Sequence, residues 1–318
     1  MNALVESVGP SPRVPEPICL ACGARGATLW ASAQDVEYHT SAESFAFYRC
    51  GACSALFIDP VPVDRLSEIY PASYYSYAEP RKSLVHAVKS FLDRRFFRSI
   101  LARVPGSALR ALDVGGGAGW ELSTIRDTDP RFTETLVVDL DPNAAELAAA
   151  NGHGYFCGRI EDFETDQRFD LVLLLNVIEH VRDPVRVLEK VRSLLSPNGV
   201  ALLKTPNYDA LDARLFRNQS WAGYHCPRHW VLFTKESFTR AAERAGLEVR
   251  TAAYTQGAPF WAASTLAWLA RRRLVRVSRE RPVVYHPLFG PLAALFAAFD
   301  FARRPFAKTS QMFFVLGR

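Results

Sequence analysis

A glycine-rich turn stands between a predicted strand and a predicted helix in the first half of the chain. Asp113 is followed by Val-Gly-Gly-Gly-Ala-Gly, which places Gly115, Gly117 and Gly119 in the turn. Glycine reaches backbone angles that other residues avoid and lets a ligand approach the main chain closely. The next predicted strand ends in Asp139, whose carboxylate is placed to bind the vicinal hydroxyls of a ribose. The spacing predicts a nucleotide-type cofactor, and it differs from the Gly-x-Gly-x-x-Gly pattern of dinucleotide dehydrogenases.

Three histidines could take a proton from an acceptor near neutral pH. His180 follows a predicted strand, whereas His225 and His229 lie in the sequence Tyr-His-Cys-Pro-Arg-His-Trp. This later segment is expected to pass over the carboxyl ends of the strands, where ligands bind in open α/β sheets. We predict that His225 or His229 is a general base and that His180 shapes the site by hydrogen bonding. The alternatives are that His229 packs its loop and that His180 is structural through Glu179.

Four cysteines form two Cys-x-x-Cys pairs. Cys19 and Cys22 are separated from Cys50 and Cys53 by 27 residues. Two such knuckles supply the four thiolates of a tetrahedral structural zinc. Zinc binding worth on the order of 10 kcal/mol would help to fold a segment that is too small for a core of its own. A redox-active dithiol is the alternative.

The elements that must position these groups alternate between strand and helix patterns. Such alternation predicts a doubly wound α/β fold, with a parallel sheet covered by helices on both faces. The predicted strands are 109–114, 135–139, one near 155, 169–175, 199–204, 247–254 and 311–316, and the predicted helices begin at 120, 143, 184 and 235. A turn is expected at 196–199. This seven-stranded sheet would carry a small N-terminal zinc ribbon and a helical insertion before its last strand.

The same patterns suggest a division of the chain. We expect a flexible N-terminus at 1–15, a zinc-ribbon-like module at 16–60, an aromatic linker and an N-terminal helix at 61–104, and a catalytic domain at 105–318. An insertion that is apolar and rich in arginine interrupts the catalytic domain at about 256–310.

Several motifs in this order resemble those of class I S-adenosylmethionine-dependent methyltransferases. They are Leu112–Gly119, Val138–Pro142, Glu161-Asp162, Phe169-Asp170 and Asn176–Val181. The resemblance covers about residues 80–254 and extends to ubiquinone-type O-methyltransferases and to bacterial small-molecule and sugar methyltransferases, some with a similar four-cysteine module. It implies a Rossmann-like methyltransferase fold and methyl transfer from S-adenosylmethionine. Asn176 stands where ubiquinone-type members carry a glutamate, which puts the metal-assisted form of that site in doubt.

The resemblance also implies roles for individual residues. The methionine part of the cofactor would face Asp113 and the glycines, Asp139 would bind the ribose, and Leu140 would cover one adenine face. Asp162 would reach the adenine amino group, and Leu175 would contact the cofactor through its backbone.

Charge is unevenly spread along the chain. The net charge is +5, but residues 251–318 hold ten Arg and Lys against two acids. Two apolar runs, 260–270 and 287–299, are flanked by arginines there. Each is shorter than the ~18–20 residues that cross a bilayer. We expect residues 260–304 to bind an anionic membrane surface, or instead to pack as a helical hairpin on the catalytic domain or in a homodimer contact.

These observations together favour one class of function. We expect O-methylation of a small-molecule acceptor, namely a sugar, a glycolipid or a related metabolite. The alternatives are a non-catalytic scaffold that keeps the fold, and a nucleic-acid methyltransferase. The second is disfavoured because Thr205-Pro-Asn-Tyr208 matches the Asn-Pro-Pro-Tyr loop of DNA enzymes neither in order nor in position. The first residues lack a secretory pattern, so we expect a cytoplasmic enzyme that reaches the inner face of the membrane as a peripheral protein.

Overall fold

A central sheet of seven strands dominates the computed structural model, which describes residues 16–70, 94–218 and 220–318. Its strands are β4 (Leu109–Val114), β5 (Phe132–Asp139), β6 (Gly154–Cys157), β7 (Phe169–Leu175), β8 (Leu195–Pro206), β10 (Glu248–Thr255) and β11 (Gln311–Gly317). The spatial order is β10-β11-β8-β7-β4-β5-β6. The predicted α/β fold is therefore confirmed.

The sheet is mixed, whereas the alternation of elements predicts a parallel one. Strands β8, β7, β4, β5 and β6 pair in parallel, but β11 runs antiparallel to both β8 and β10. The sequence pattern of residues 311–316 does not indicate whether this strand runs parallel or antiparallel to its neighbours. The reversal arises because the long insertion after β10 brings the chain back to the end of the sheet at which β10 finishes, where Gln311 pairs with Thr255.

The expected turn at 196–199 lies within the bounds of strand β8. Strand β8 begins at Leu195, opposite Phe169, and its next pair joins Val200 to Leu171. The extra residues form an irregularity inside the ladder, and Ser196 Oγ donates a hydrogen bond to Asp170 Oδ1 at 2.7 Å. Pairing with β7 is therefore interrupted at residues 196–199 and resumes at Val200.

Helices cover both faces of the sheet. They are α2 (residues 94–101), α3 (Trp120–Thr128), α4 (Ala144–Ala150), α5 (Pro184–Leu194) and α7 (Lys235–Arg244). The start of α5 is set by Asp183, whose side chain accepts from the Arg186 N–H, and by Pro184 in the first turn. Thr234 and Ser237 form a capping box at the start of α7. These caps fix the helices that lie behind the carboxyl ends of β7 and β8.

A second, smaller sheet joins two distant parts of the chain. Its antiparallel strands are β1 (Ala27–Ala33), β2 (Phe45–Cys50), β3 (Leu56–Ile58) and β9 (Val231–Leu232), in that order. The short helix α1 (Leu66–Ile69) follows β3, and α6 (Leu211–Leu215) lies in the segment before β9. Phe47 packs against Trp221 and Tyr224 of that segment in one buried cluster. The cysteine-bearing residues thus share their core with the loop that carries two of the predicted catalytic histidines.

The insertion forms a pair of helices. Helix α8 (Ala258–Arg271) is followed by a 3-10 turn (Val283–Tyr285) and by α9 (Phe289–Arg303). Trp261 of α8 stacks on Phe296 of α9, with ring centroids 4.9 Å apart. Among the residues that the structure describes, no helix is both long enough and apolar enough to span a membrane. The predicted N-terminus at 1–15, most of the aromatic linker and the first part of the predicted N-terminal helix lie outside the described residues.

Candidate functional site

The glycine-rich turn lies where three parallel strands end side by side. Strand β4 pairs with β5 on one side and with β7 on the other. The Gly115 N–H donates to the Val138 carbonyl at 2.8 Å. The Gly117 N–H donates to Asp139 Oδ2 at 2.9 Å. The predicted cofactor residues of β4 and β5 are therefore brought together by the sheet itself.

Backbone conformation explains why the turn needs glycine. Gly115, Gly117 and Gly119 have φ angles of 73°, 51° and 78°. A Cβ at Gly119 would lie 2.3 Å from His153 Cδ2, and one at Gly115 would lie 2.7 Å from Val177 Cγ2. At Gly117 nothing stands within 4 Å. The turn is thus packed behind its first and last glycines and open at the middle one, which suits a ligand lying over it.

Acidic side chains surround the turn. Burial, followed by the charges of Glu121 and Asp139, raises the pKa of Asp113 well above its usual range. A cationic group placed among these carboxylates would reverse that effect, because an opposite charge favours the ionised acid. The turn is therefore suited to a ligand that carries positive charge.

The remaining predicted cofactor residues flank the same edge. Leu140 follows β5 and is 61% exposed, an apolar surface that a flat ring could cover. The Gly158 N–H donates to the Asp139 carbonyl at 2.9 Å, which holds the chain after β6 beside β5. Asp162 ends the 3-10 turn that follows, and half-buried Leu175 ends β7. All these positions lie at the carboxyl ends of neighbouring strands.

The three predicted catalytic histidines form one cluster. The ring centroids of His180 and His229 are 4.7 Å apart, those of His225 and His229 are 4.9 Å apart, and those of His180 and His225 are 6.1 Å apart. His180 ends the 3-10 turn after β7. The Trp230 N–H donates to the Glu179 carbonyl at 2.7 Å, which ties the later segment to that turn. Residues 45 or more positions apart in the sequence thus meet beside the sheet edge.

Each imidazole has an oxygen at Nδ1. His229 Nδ1 lies 2.8 Å from the Gly223 carbonyl, and His180 Nδ1 lies 3.1 Å from the Arg228 carbonyl. His225 Nδ1 contacts a carboxylate oxygen of Glu37. Carbonyl and ionised carboxylate oxygens only accept hydrogen bonds, so Nδ1 carries the proton in each ring. The basic nitrogen of each ring is therefore Nε2.

Burial keeps two of these rings neutral. Desolvation, followed by the neighbouring His225, lowers the pKa of His180 to about 3, and burial lowers the pKa of His229 well below its usual range. Burial also raises the pKa of Glu179 to about 8, although Thr205 Oγ1 donates to its Oε2 at 3.0 Å. Donor atoms of Glu179, His180 and His229 lie within 4.8 Å of one another, so this group has the composition of a cation site.

The low pKa of His180 predicts acid sensitivity. The unfolded chain takes up a proton on this ring below about pH 6.5, whereas the folded chain does so only near pH 3. The free energy of unfolding should therefore fall as the pH drops through this window, by up to about 1.4 kcal/mol per pH unit. Urea unfolding of the wild type and of His180→Gln at several pH values measures this slope. Equal slopes in the two proteins would assign the acid sensitivity to other groups.

Two acids of the cysteine-bearing part contact the segment that carries His225 and His229. Asp35 Oδ2 accepts from Arg228 Nη2 at 2.9 Å, and both side chains are buried. Burial alone would raise the pKa of Asp35, but the charge and hydrogen bonds of Arg228 lower it to about 2. Glu37 is the acid that contacts His225. The sequence alone does not identify Asp35, Glu37 and Arg228 as site residues. Polar residues stand at 34, 35 and 37 between the cysteine pairs, but their positions do not indicate what they contact.

The four cysteines converge. Cys19 Sγ lies 3.6 Å from Cys53 Sγ, and Cys22 Sγ lies 3.6 Å from Cys50 Sγ. Zn–S bonds of about 2.3 Å place the sulfurs of a tetrahedral site roughly 3.8 Å apart. The observed spacing therefore fits four thiolates around one ion. The knuckles also dock on α7, because Arg244 Nη1 donates to the Cys22 carbonyl at 2.9 Å.

A cavity of about 380 Å³ lies between the loop after β1 and the end of α8. Its walls include Asp35, His39 and Arg271. Asp35 is the residue that holds Arg228, whose carbonyl faces His180. The cavity is thus linked to His180 through Asp35 and Arg228.

Comparison with known proteins agrees with this geometry. A family model described as a methyltransferase domain matches residues 84–252, more than half of the chain. Ubiquinone biosynthesis O-methyltransferase of Rhodopseudomonas palustris (strain HaA2) is 35% identical over 124 residues, which are 36% of this chain and 46% of the relative. The corresponding protein of Bradyrhizobium diazoefficiens is 31% identical over 122 residues, again 36% and 46%. The chain therefore spans about half the length of the curated relatives it matches.

A solved structure shares the fold. Coclaurine N-methyltransferase, bound to N-methylheliamine and SAH, superposes with a TM-score of 0.50 and 13% identity over 76% of each chain. At this identity the likeness concerns the fold alone. The assignment of the chain to a family rests instead on the match of the family model, and the glycine turn at the end of β4 agrees with it. The chain belongs to the methyltransferase-domain family and is a class I S-adenosylmethionine-dependent methyltransferase.

Proposed function

We propose that this enzyme methylates an oxygen atom of a small molecule, namely a sugar, a glycolipid or a related metabolite. The observation that carries the proposal is the His225–Glu37 pair within a cluster of buried imidazoles. A hydroxyl must lose its proton as it attacks a methyl group, and an imidazole held by a carboxylate is a suitable base. The ubiquinone-type relatives, whose names state O-methylation, support the same reaction.

The proposed reaction needs one proton transfer and one displacement. S-adenosylmethionine supplies the methyl group, and the S–CH₃ bonding pair stays on sulfur as the positive charge disappears. Nε2 of His225 takes the acceptor proton, so that the oxygen can form the new O–CH₃ bond. Glu37 holds the ring by Nδ1 and stabilises the imidazolium. Much of the remaining acceleration would come from orientation, which can contribute about 7–11 kcal/mol.

We assign the cofactor to the edge formed by β4, β5, β6 and β7. Asp113 and the turn would face its cationic methionine part, and Asp139 would bind the ribose. The adenine would lie on exposed Leu140, with Asp162 near its amino group and the Leu175 backbone close by. The open side of Gly117 and the surrounding acids support this placement.

The substitution Gly119→Ala is expected to weaken S-adenosylmethionine binding by at least tenfold. A left-handed backbone costs a non-glycine residue roughly 1–2 kcal/mol, and the new methyl would also collide with His153. Calorimetric titration with the cofactor measures the affinity. Gly290→Ala is the matched control, because that glycine has nothing within 4 Å. Equal affinities of the two variants would contradict the assigned turn.

We further propose that Cys19, Cys22, Cys50 and Cys53 hold a structural zinc ion. Their sulfur spacing supports it, and four protein thiolates leave no coordination position for a substrate. The module at 16–60 would then be a zinc ribbon attached to a catalytic domain at 105–318, with the insertion at about 256–310.

The acceptor is proposed to enter the cavity between the loop after β1 and the end of α8, which Asp35 and Arg228 link to His180. Its volume of about 380 Å³ falls in the range of small-molecule pockets. His39 and Arg271 provide polar groups that suit hydroxyl or phosphate substituents.

A transfer assay tests the function. The enzyme is incubated with labelled S-adenosylmethionine and sugars, glycolipids, quinol precursors or nucleic acid, and products are read by mass spectrometry. We expect a gain of one methyl group on a hydroxyl of a small acceptor. Methylation of nitrogen or of nucleic acid would overturn the proposal, and cofactor binding without any product across extracts would favour a scaffold.

A further inference from the structure

Helix α9 presents an apolar stripe to the outside. Pro291, Ala294, Leu295, Ala298 and Ala302 are all exposed and recur every three or four residues, so they lie on one side of the helix. The helix contains one acid, Asp300, which is fully buried and accepts from the Gly257 N–H at 2.9 Å. Four turns of helix therefore face outward without a polar side chain.

Large exposed side chains lie before, within and after helix α9. The exposed fractions are 47% for Leu288, 62% for Leu295, 71% for Phe301 and 79% for Phe306. Leu274, in the segment between the helices, is 66% exposed. We call these five residues the apolar face. Exposed large residues in one contiguous group mark interaction sites in soluble domains.

The rest of the insertion is already packed. Helix α8 buries Trp261, Ala263 and Leu266, and its Ser264 Oγ accepts from the Ala222 N–H at 2.8 Å. Phe296 turns inward from α9 onto Trp261. The expected packing of a hairpin on the catalytic domain thus accounts for α8 and for the inner side of α9, and it leaves the apolar face outside.

Arginines precede and follow helix α9 in the chain. Exposed side chains of the arginine segment, defined here as residues 271–281, are Arg271, Arg272, Arg273, Arg276, Arg279 and Arg281. Arg304 follows α9 and lies over the Phe301 ring at 5.6 Å. Between residues 256 and 310 the chain has nine basic residues and two acids. An apolar strip with a basic border is the pattern of a helix that lies in a bilayer interface.

We infer that the apolar face and the arginine segment dock this enzyme on an anionic lipid bilayer, with α9 parallel to the membrane surface. Charge complementarity selects this occupant. A second copy would bring two strongly basic borders together, and like charges across an interface disfavour association. Anionic headgroups instead attract each arginine, while acyl chains accept leucine and phenylalanine without needing hydrogen bonds.

The docked position has a consequence for the reaction. Arg271, Ala270 and Val277 line the cavity between the loop after β1 and the end of α8, so this cavity borders the surface that would face the lipid. If the proposed function holds, a lipid-linked acceptor could enter from the membrane without crossing water. Membrane binding itself does not depend on that function.

Vesicle flotation of the full chain tests the inference. At low salt we expect binding to vesicles of phosphatidylserine and phosphatidylcholine, and little binding to phosphatidylcholine alone. Leu295→Glu and the triple change Arg271→Ala, Arg272→Ala and Arg273→Ala should each weaken the binding by tenfold or more. Leu147→Glu is the matched control, because Leu147 is 45% exposed on α4, which packs on β6 at the other edge of the sheet. Unchanged cofactor binding by calorimetry shows that the variants fold.

Several outcomes would overturn it. These are the absence of binding to anionic vesicles at low salt, or equal binding by Leu295→Glu and the wild type. A dimer of the wild type that Leu295→Glu dissociates, with no vesicle binding, would assign the face to a second copy. Binding of the enzyme to an acidic protein, without binding to anionic vesicles, would also reject a lipid bilayer as the partner of the apolar face. If the wild type transfers methyl groups normally but does not float with anionic vesicles, membrane binding is rejected while the proposed function stands.

Discussion

Replacing His225 by alanine is expected to lower kcat for methyl transfer by roughly 10²- to 10⁴-fold, the usual contribution of a general base. The affinity for S-adenosylmethionine should stay the same, because the cofactor turn lies on β4 and β5, apart from this loop. Single-turnover transfer with the identified acceptor measures the rate, and calorimetry measures the affinity. His229→Ala and His180→Ala serve as comparisons within the cluster.

Glu37→Gln distinguishes a base from a packing residue. The amide keeps the shape of Glu37 but removes the charge beside His225 Nδ1, so the imidazolium that forms during proton transfer is less well stabilised. We expect a loss of kcat that is smaller than the loss caused by His225→Ala. Glu43→Gln, a surface acid paired with Arg65, is the control. Near-normal turnover by His225→Ala, with intact folding, would remove His225 from the mechanism.

Removing the metal is expected to unfold the N-terminal sheet. Purified protein should contain about one zinc per chain, whose binding contributes on the order of 10 kcal/mol. Cys53→Ser or a strong chelator should abolish the bound zinc and lower Tm. Transfer activity should fall as well, because β3 pairs with β9, which begins two residues after His229.

Elemental analysis measures the bound zinc, thermal unfolding measures Tm, and the transfer assay measures activity. Cys157→Ser is the matched control, since Cys157 is exposed and lies outside the cluster. Less than about half an equivalent of zinc, together with reactive thiols, would contradict a structural zinc site. Full activity of a zinc-free protein would contradict the link between the module and the histidines.

Local patterns predict the strands well where burial is continuous. The bounds of β4 and β7 agree with the expected 109–114 and 169–175, because these largely apolar runs end at a glycine turn and at a polar turn. The glycine turn and Asp139 could be located for the same reason. The direction of β11 could not, since it depends on how a long insertion returns to the sheet rather than on the strand itself.

Tertiary pairing explains what the sequence leaves open in the site. Strand β9 has two residues, too few for a periodic pattern, yet it brings His229 beside β3. Glu37 meets His225 and Asp35 meets Arg228 across nearly two hundred residues. The sequence around either side chain does not indicate a partner that lies so far along the chain. The histidines themselves could be proposed from chemistry, but their orienting acids required the fold.

The shared four-stranded sheet also constrains how the protein is made. Phe57 pairs with Val231, more than half the chain later, so the sheet cannot close until the ribosome has released its last strand. Until then β3 exposes an edge that another chain could join. The four cysteines could bind the proposed zinc ion soon after residue 53 has been synthesised, whereas the histidine cluster can form only after residue 229 has been synthesised. Truncated products would therefore bind zinc but lack the completed active site, and nascent chains would need protection of that edge during synthesis.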